Sequence, residues 1–467
     1  QTQGGVIRNA SLAGPSIMCL AQQNALTPGR QYLTIRGKVY DVTDFVETHP
    51  GGSQLVSLGV GRDATILFES HHIRTDVVEK ALQALPVVDM SKVAANPAEA
   101  AKMVGMPLEQ FALPGDSALY RTLRKRIREE VLEPAGKGWR RVSSGRGGLM
   151  SETIFGLFVW GVIVAAYLYS PNLLTGLLTG LAGYWTGVGV QHTANHGGLS
   201  RSGFLNAILG FIACDVTIGK SSLEWRYHHL VSHHAYCNDS ELDQDVFDLF
   251  PVLRFTDEKP LSWFHRYQHF YMWILLPFLW FSTQVADVQK TMSRLTGNIG
   301  YFGVSDTEIQ LMWLGKVLHI TLMLGVPAYI HGITRVMPAF LMFVFSGSLV
   351  LTTMFLVSHN IDGALPSQFA QQSSRNDWAK YQIETTATWG NWFWGKLAGG
   401  LNYQVEHHLF PSVAHNLYPK MQPIIKEECA KIGIPYKSWD GYLAFPKIVY
   451  ELFAQMRTNG RTPVKAA

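Results

Sequence analysis

Cysteine is scarce and scattered. Four residues, Cys19, Cys214, Cys237 and Cys429, are spread over 467 positions without metal-ligand spacing, which excludes a zinc knuckle and a disulfide framework and suits a reducing compartment. Net charge is equally modest at +4, and its Lys/Arg surplus gathers in residues 121–128 and 137–141. No RNA- or DNA-reading motif accompanies these clusters, so they suit a face near anionic headgroups and not a nucleic-acid partner. The first residues lack the charged-then-apolar pattern of a signal peptide, and insertion is expected to rely on internal apolar segments. What the chain does have is length and greasiness: 467 residues exceed one ordinary core, and a mean hydropathy just above zero points to a mixed soluble and membrane protein.

Residues 1–30 read as a small polar tail. Residues 31–90 are a compact segment in which strand-like YLTI and KVYDVTDF stretches flank a turn at Arg36-Gly37. Residues 91–118, rich in Ala, Pro and Gly, read as a linker, and residues 119–133 as a basic helix with Leu119, Leu123, Ile127 and Val131 on one face, expected on the membrane surface. Apolar runs at 153–170 and 172–191, broken at Pro171-Asn172, predict a helical hairpin. Runs at 311–331 and 338–358, separated by the GITRVM turn and interrupted only by Lys316, His319 and His331, predict a second. Four spans therefore lie within a domain covering 119–467. Stretches 204–218 and 263–281, broken by Asn206, Asp215, His265, Arg266 and His269, are placed at the interface. The basic segment before the first span puts the N-terminal side in the cytosol, and an even number of spans returns the C-terminus there.

Histidine carries the chemistry. His192 and His196, four apart where the second span ends, share one side of a continuing helix. His228, His229, His233 and His234 follow in the next loop, Gln404, His407 and His408 lie after the fourth span, and His359 ends that span at the depth of His192. A lone histidine is readily satisfied inside a protein, but three clusters on one membrane face imply a metal centre. Eight imidazoles (His192, His196, His229, His233, His234, His359, His407 and His408) exceed what one ion uses, so two metals are expected, with iron, zinc or copper open on affinity alone and Gln404 as a weak ligand or a hydrogen-bonding neighbour. His265 and His269 repeat the four-residue spacing in an aromatic stretch. The acidic run Asp239, Glu241, Asp243, Asp245 and Asp248 offers carboxylates that can orient imidazoles. In the small segment, His49-Pro50-Gly51-Gly52 lets the chain turn beside a flat ligand, and His71 or His72 can reach iron from the other face; two axial imidazoles make an electron-transfer haem.

These residues resemble two known families. HPGG and the later GRDATILFESHH are similar to cytochrome b5, with His72 in the place of the second axial ligand. The remainder resembles the front-end fatty-acid desaturases in its boxes QHTANHG, HLVSHH and QVEHHLFP, the last with the diagnostic Gln404, although Thr193 stands where the family usually has Asp. The resemblance implies an α-helical integral membrane protein, about four transmembrane helices under a cytosolic histidine-rich di-iron cap, plus a small α+β haem domain. It implies two non-haem irons, haem b, O2 as co-substrate and NADH acting through cytochrome b5 reductase. It also implies the endoplasmic reticulum membrane and an acyl-CoA or acyl-lipid substrate that gains a double bond between an existing one and the carboxyl group. The segments FLVSHNIDG, NDWAKYQIETT and GGLNYQVEHHLFPS look most like the Δ4 and Δ5 enzymes of algae and protists, with Δ6 a further option. The competing expectations are a sphingoid-base desaturase or hydroxylase on the same machinery, and a non-catalytic membrane haem carrier.

Overall fold

The structure is a computed structural model that describes residues 29–88, 115–134, 149–297, 299–361, 364 and 377–463; the expected tail and linker fall almost wholly outside these. Strands Tyr32–Ile35 and Lys38–Asp41 pair antiparallel around Arg36 and Gly37, whose φ values of 50° and 72° are the two positive angles of a tight hairpin turn. Helices Thr65–His71 and Thr75–Gln83 pack on them, and Leu33, Ile35, Tyr40, Val42, Val46, Val60, Ala64 and Leu82 make a core separate from that of the membrane domain.

Among the described residues, four helices are long and apolar enough to cross a bilayer: Met150–Tyr169, Leu173–Asn195, Asp306–His331 and Ile333–His359. Phe155, Phe158, Tyr169 and Tyr329 stand well exposed on them, as lipid-facing side chains do. The second and fourth spans touch through small residues, since a Cβ on Gly176 would lie 2.2 Å from the Ala339 carbonyl oxygen. Each hairpin turns sharply. Asn172 caps the second span in a reciprocal capping box with Thr175, and Gly332, at φ 81°, alone separates the third span from the fourth, so the GITRVM stretch is helical from Ile333 onward. Stretch 204–218 folds with the next segment as a pair of helices, Gly203–Ile218 and Ser222–Tyr236, bent by 114°; the bend folds the pair back towards the histidine face.

The polar interruptions of the third span each find a partner inside the protein. Lys316 Nζ reaches Asp287 at 2.5 Å, His319 Nδ1 donates to the Val216 carbonyl at 2.9 Å, and His331 Nε2 to that of Leu168 at 2.8 Å. The basic helix is placed differently from expectation. Leu119, Leu123, Ile127 and Val131 are buried against Trp378, Val405, Leu409 and Phe410, and Tyr120 donates to the Leu409 carbonyl at 3.1 Å. Its apolar stripe covers the segment carrying the third histidine cluster and not the bilayer, because that segment presents an apolar surface of its own.

Candidate functional site

The second span runs through a wider π turn over Gly187–Gln191 into His192, and His196 ends the helix. A second π turn covers Tyr227–His233. Such turns insert a residue into the helical repeat and re-aim side chains. Nε2 of His192 lies 3.1 Å from that of His229, which lies 3.1 Å from that of His234, which lies 2.9 Å from that of His407. Two nitrogens at right angles on one ion, with bonds of about 2.1 Å, stand about 3.0 Å apart, so the spacing is that of neighbouring ligands. His192, His196, His229 and His407 offer atoms all within 4.8 Å of one another, and so do His233, Cys237, His359 and His408. Gln404 lies one helical turn before His408 on Gln404–Leu409 and so shares its face.

The donor set calls for a cation. Both ring nitrogens of His196, Nδ1 of His234, Nε2 of His408 and Oε1 of Gln404 are buried with no hydrogen bond, at about 1–3 kcal/mol each, which bound metal would offset. Outer groups fix the rings. His233 Nδ1 donates to Asp243 at 3.0 Å, His408 Nδ1 to Gln382 Oε1 at 2.8 Å, and His407 Nδ1 faces the Tyr418 hydroxyl at 3.1 Å, each turning Nε2 inward. Burial and neighbouring imidazoles hold His407 and His408 well below the ordinary range, in the neutral form that ligates. Burial lowers His233 too, but Asp243 and Asp245 outweigh it and raise it to about 9.

In the small domain the rings of His49 and His72 face each other at 6.2 Å. Two imidazoles on opposite sides of one iron, with bonds of about 2 Å, put their ring centres about 6 Å apart. His49 Nδ1 donates to the Gly52 carbonyl at 3.1 Å and His72 Nδ1 to that of Phe68 at 2.6 Å, so each presents Nε2. Both line a cavity of about 280 Å³ walled by Leu33, Phe45, Phe68 and Leu82, apolar as a porphyrin requires. His71 also lines this cavity, and its ring lies nearly parallel to that of His196.

A second cavity, about 340 Å³, passes His229 and His359. At one end it is charged, with Lys220, Glu224, Asp245, Asp248 and Lys290; at the other, among the spans, it is lined by Gly180, Gly183, Phe343, Val344, Gly347 and Leu351.

Residues 168–439 match the fatty acid desaturase family, and residues 19–91 match the cytochrome b5-like haem/steroid binding domain. The chain belongs to the fatty acid desaturase family. It is similar to the chloroplastic acyl-lipid (7-3)-desaturase of Chlamydomonas reinhardtii, at 38% identity over 92% of this chain and 80% of the relative. It is also similar to the acyl-lipid (8-3)-desaturase of Physcomitrium patens, at 30% over 93% and 89%, and to the probable Delta(5) fatty acid desaturase C of Dictyostelium discoideum, at 28% over 92% and 92%. The desaturase is thus an oxidoreductase of the front-end acyl-lipid group, with its haem domain fused to a membrane di-iron domain, and the non-catalytic carrier falls away.

Several residues packed against the histidines of this desaturase carry no sequence signal of their own. Cys237 Sγ lies 3.4 Å from His359 Nδ1, Trp225 stacks on His229 at 4.4 Å, and Asn238 donates to the His359 carbonyl at 2.9 Å; Thr193, the departure visible in the first box, pairs with His415 at 3.0 Å. Gln382 lies within the quoted NDWAKYQIETT segment, whose resemblance to the family was its one signal. Of the acidic run, Asp243 and Asp245 reach the histidines, whereas Glu241 and Asp248 pair with Lys259 and Lys290. His265 donates to the Pro251 carbonyl at 2.7 Å and His269 packs on Phe270 and Phe453; neither joins a metal group among the described residues.

Proposed function

We propose that this enzyme places a cis double bond at carbon 4 of a long polyunsaturated acyl chain, with carbon 5 the neighbouring outcome. In a methylene-interrupted polyene each double bond lies three carbons from the next, so a new bond three carbons on the carboxyl side of one at carbon 7 begins at carbon 4, and of one at carbon 8 at carbon 5. The relative at 38% identity is named a (7-3)-desaturase and that at 30% an (8-3)-desaturase. The observation that carries the front-end reading is the cavity: its charged end lies at His228, next in sequence to His229, while its long apolar end runs into the membrane. An acyl group held there keeps its polar carboxyl end within a few carbons of the histidines.

His192, His196, His229, His234 and His407 would hold one iron, and His233, His359 and His408 the other, with Gln404 beside them. When bound, the pair of irons supplies the oxidising power, drawn from O2 with two electrons and two protons, that removes two hydrogens from adjacent methylenes and yields two waters. The protein's own contribution is placement. Trp225 and the apolar lining exclude water, Asp243, Gln382 and Tyr418 hold the rings, and the tunnel fixes which C–C bond faces them. His49 and His72 would hold the haem. A cytochrome b5 reductase is the proposed donor. The endoplasmic reticulum, with the histidines cytosolic, is the proposed membrane, and a chloroplast signal from the tagged protein in its native cell would displace that assignment.

The test is fatty-acid profiling of yeast expressing the chain and fed docosapentaenoic, di-homo-γ-linolenic or linoleic acid, beside His407→Ala. New Δ4 product from the first acid alone supports the proposal, Δ5 product from the second moves the bond by one carbon, and a new bond only from linoleic acid, at carbon 6, refutes the regiochemistry.

A further inference from the structure

We infer that His71 is the relay through which electrons leave the haem for the iron held by His192, His196, His229, His234 and His407. The inference rests on the ligand assignments proposed above. His71 is the last residue of the helix Thr65–His71 and His72, which faces the haem site, follows directly upon it; the His71 ring lies nearly parallel to that of His196, with centroids 6.0 Å apart and planes inclined by 22°. His71 Nδ1 meets the Leu67 carbonyl at 3.0 Å, and its own carbonyl accepts from Ser412 Oγ of the membrane domain at 2.9 Å. One end of the residue is thus tied to the haem domain's helix and the other to the loop after the third histidine cluster. The route from axial ligand to metal ligand is one peptide unit and one ring-to-ring gap. Electron tunnelling falls steeply with open space and is carried better by bonds and by neighbouring rings, and this route runs through bonds except for the single gap between the His71 and His196 rings.

The docking that sets the gap is built closely. A Cβ on Gly203 would lie 2.4 Å from the Gly52 nitrogen and 2.6 Å from the Gly51 carbonyl carbon, and one on Gly303 would lie 2.2 Å from the Ser57 oxygen. Gln54 Nε2 donates to the Gly203 carbonyl at 3.2 Å, Arg62 donates to that of Gly300, and Leu58 shares an apolar cluster with Leu223, Trp225 and Leu230. Two glycines that turn the chain beside His49 therefore also form the floor on which the membrane domain sits. Leu230 meanwhile reaches the haem cavity from beside His229, which defines the rival route: straight from the porphyrin edge through Leu230. The step itself is a one-electron exchange in which ferrous haem becomes ferric and one ferric non-haem iron becomes ferrous, with no bond made or broken.

The experiment uses purified full-length holoenzyme, kept anaerobic so that O2 cannot oxidise the haem directly. The haem is reduced by NADH and a soluble cytochrome b5 reductase in limiting amount, and its Soret band is followed as the electron passes on. Wild type must first show a bis-imidazole haem and two non-haem irons per haem; if it does not, the ligand assignments fail and not the relay. His71→Leu is expected to slow haem reoxidation by an order of magnitude or more, with haem spectrum, midpoint potential and iron content unchanged, and His71→Phe, which keeps a stacked ring, to restore most of the rate. Ser412→Ala, which only loosens the anchor, should slow it less. Reoxidation at the wild-type rate in His71→Leu overturns the relay in favour of the Leu230 route, loss of the bis-imidazole spectrum makes His71 an axial ligand, and loss of non-haem iron makes it a metal ligand. If His71→Leu does not accumulate, unaltered kinetics in Ser412→Ala overturn the proposal.

Discussion

On the substrate proposed above, Gly183→Leu should turn a preference for long tails into a preference for short ones. A Cβ at Gly183 would meet Ile218 Cγ2 at 3.7 Å and Phe343 Cε2 at 3.8 Å, ordinary contacts, whereas at Gly180 it would meet Ser346 Oγ at 2.1 Å and force the helices apart. A larger side chain at position 183 is therefore housed by the fold and extends into the cavity that Gly183 lines. Gly183 precedes His192 by nine residues on one helix, about 13 Å at about 1.5 Å per residue. An extended hydrocarbon advances about 1.25 Å per carbon, from a C–C bond of about 1.5 Å at the tetrahedral angle, so about ten carbons fit between the level of the histidines and Gly183. A C22 chain desaturated at carbon 4 has about seventeen carbons beyond the new bond and a C16 chain about eleven, so leucine would displace about seven methylenes of the former and almost none of the latter. At about 0.8 kcal/mol per methylene the full loss is about 5 kcal/mol; half of it, if the tail finds other apolar cover, still lowers kcat/KM roughly a hundredfold. Competition between C16 and C22 acyl substrates in microsomes, read by mass spectrometry, measures the ratio directly. Gly183→Ala should leave it near wild type. An unchanged ratio in a well-folded Gly183→Leu enzyme would mean that the tail does not pass this helix.

Three further outcomes follow from contacts. Asp287 is fully buried and takes Lys316 at 2.5 Å and Lys220 at 3.2 Å; Asp287→Asn should cost about 3 kcal/mol, the low end for breaking a buried pair, because Lys316 loses its carboxylate while Lys220 keeps Glu224 at 2.6 Å, seen as a lower thermal midpoint in detergent, and an unaltered midpoint would show that the Gln284 and Gly219 oxygens suffice for Lys316. Gln382→Ala removes the acceptor of His408 Nδ1 and should weaken the second iron about 10–100-fold, so that dialysed protein holds closer to one non-haem iron than two; full retention would count against an orienting role. Because Asp243 and Asp245 raise His233 to about 9, its imidazolium is favoured below that pH and an incoming ion must displace a proton. Iron loading of apo-protein should tighten as pH rises from 7 towards 9, and Asp243→Asn should flatten that rise; equal slopes in calorimetric titrations of the two proteins would refute the coupling.

The reach of sequence reasoning here follows from how many residue types can do each job. Ligating a metal at this face takes imidazole, so the spacing of His192 and His196 and the runs around His229 and His407 were legible, and so were spans that only uncharged helices can make. The limits appear where one pattern serves two physical ends. The stripe Leu119, Leu123, Ile127 and Val131 reads the same whether its cover is lipid or protein, and it is protein, namely Trp378 and Phe410. Lys316 read as an interruption in a span because its counter-charge, Asp287, lies on Leu279–Ser293, a helix that no local periodicity links to it. Orienting an imidazole demands little of its partner: a carboxylate does it for His233 and an amide for His408, while a phenol faces His407. Groups that orient an imidazole are interchangeable in type and distant in sequence, so Tyr418 emerges only when the chain is folded and Gln382 is marked beforehand by nothing but the family resemblance of its segment, whereas the histidines they face are visible in the sequence itself.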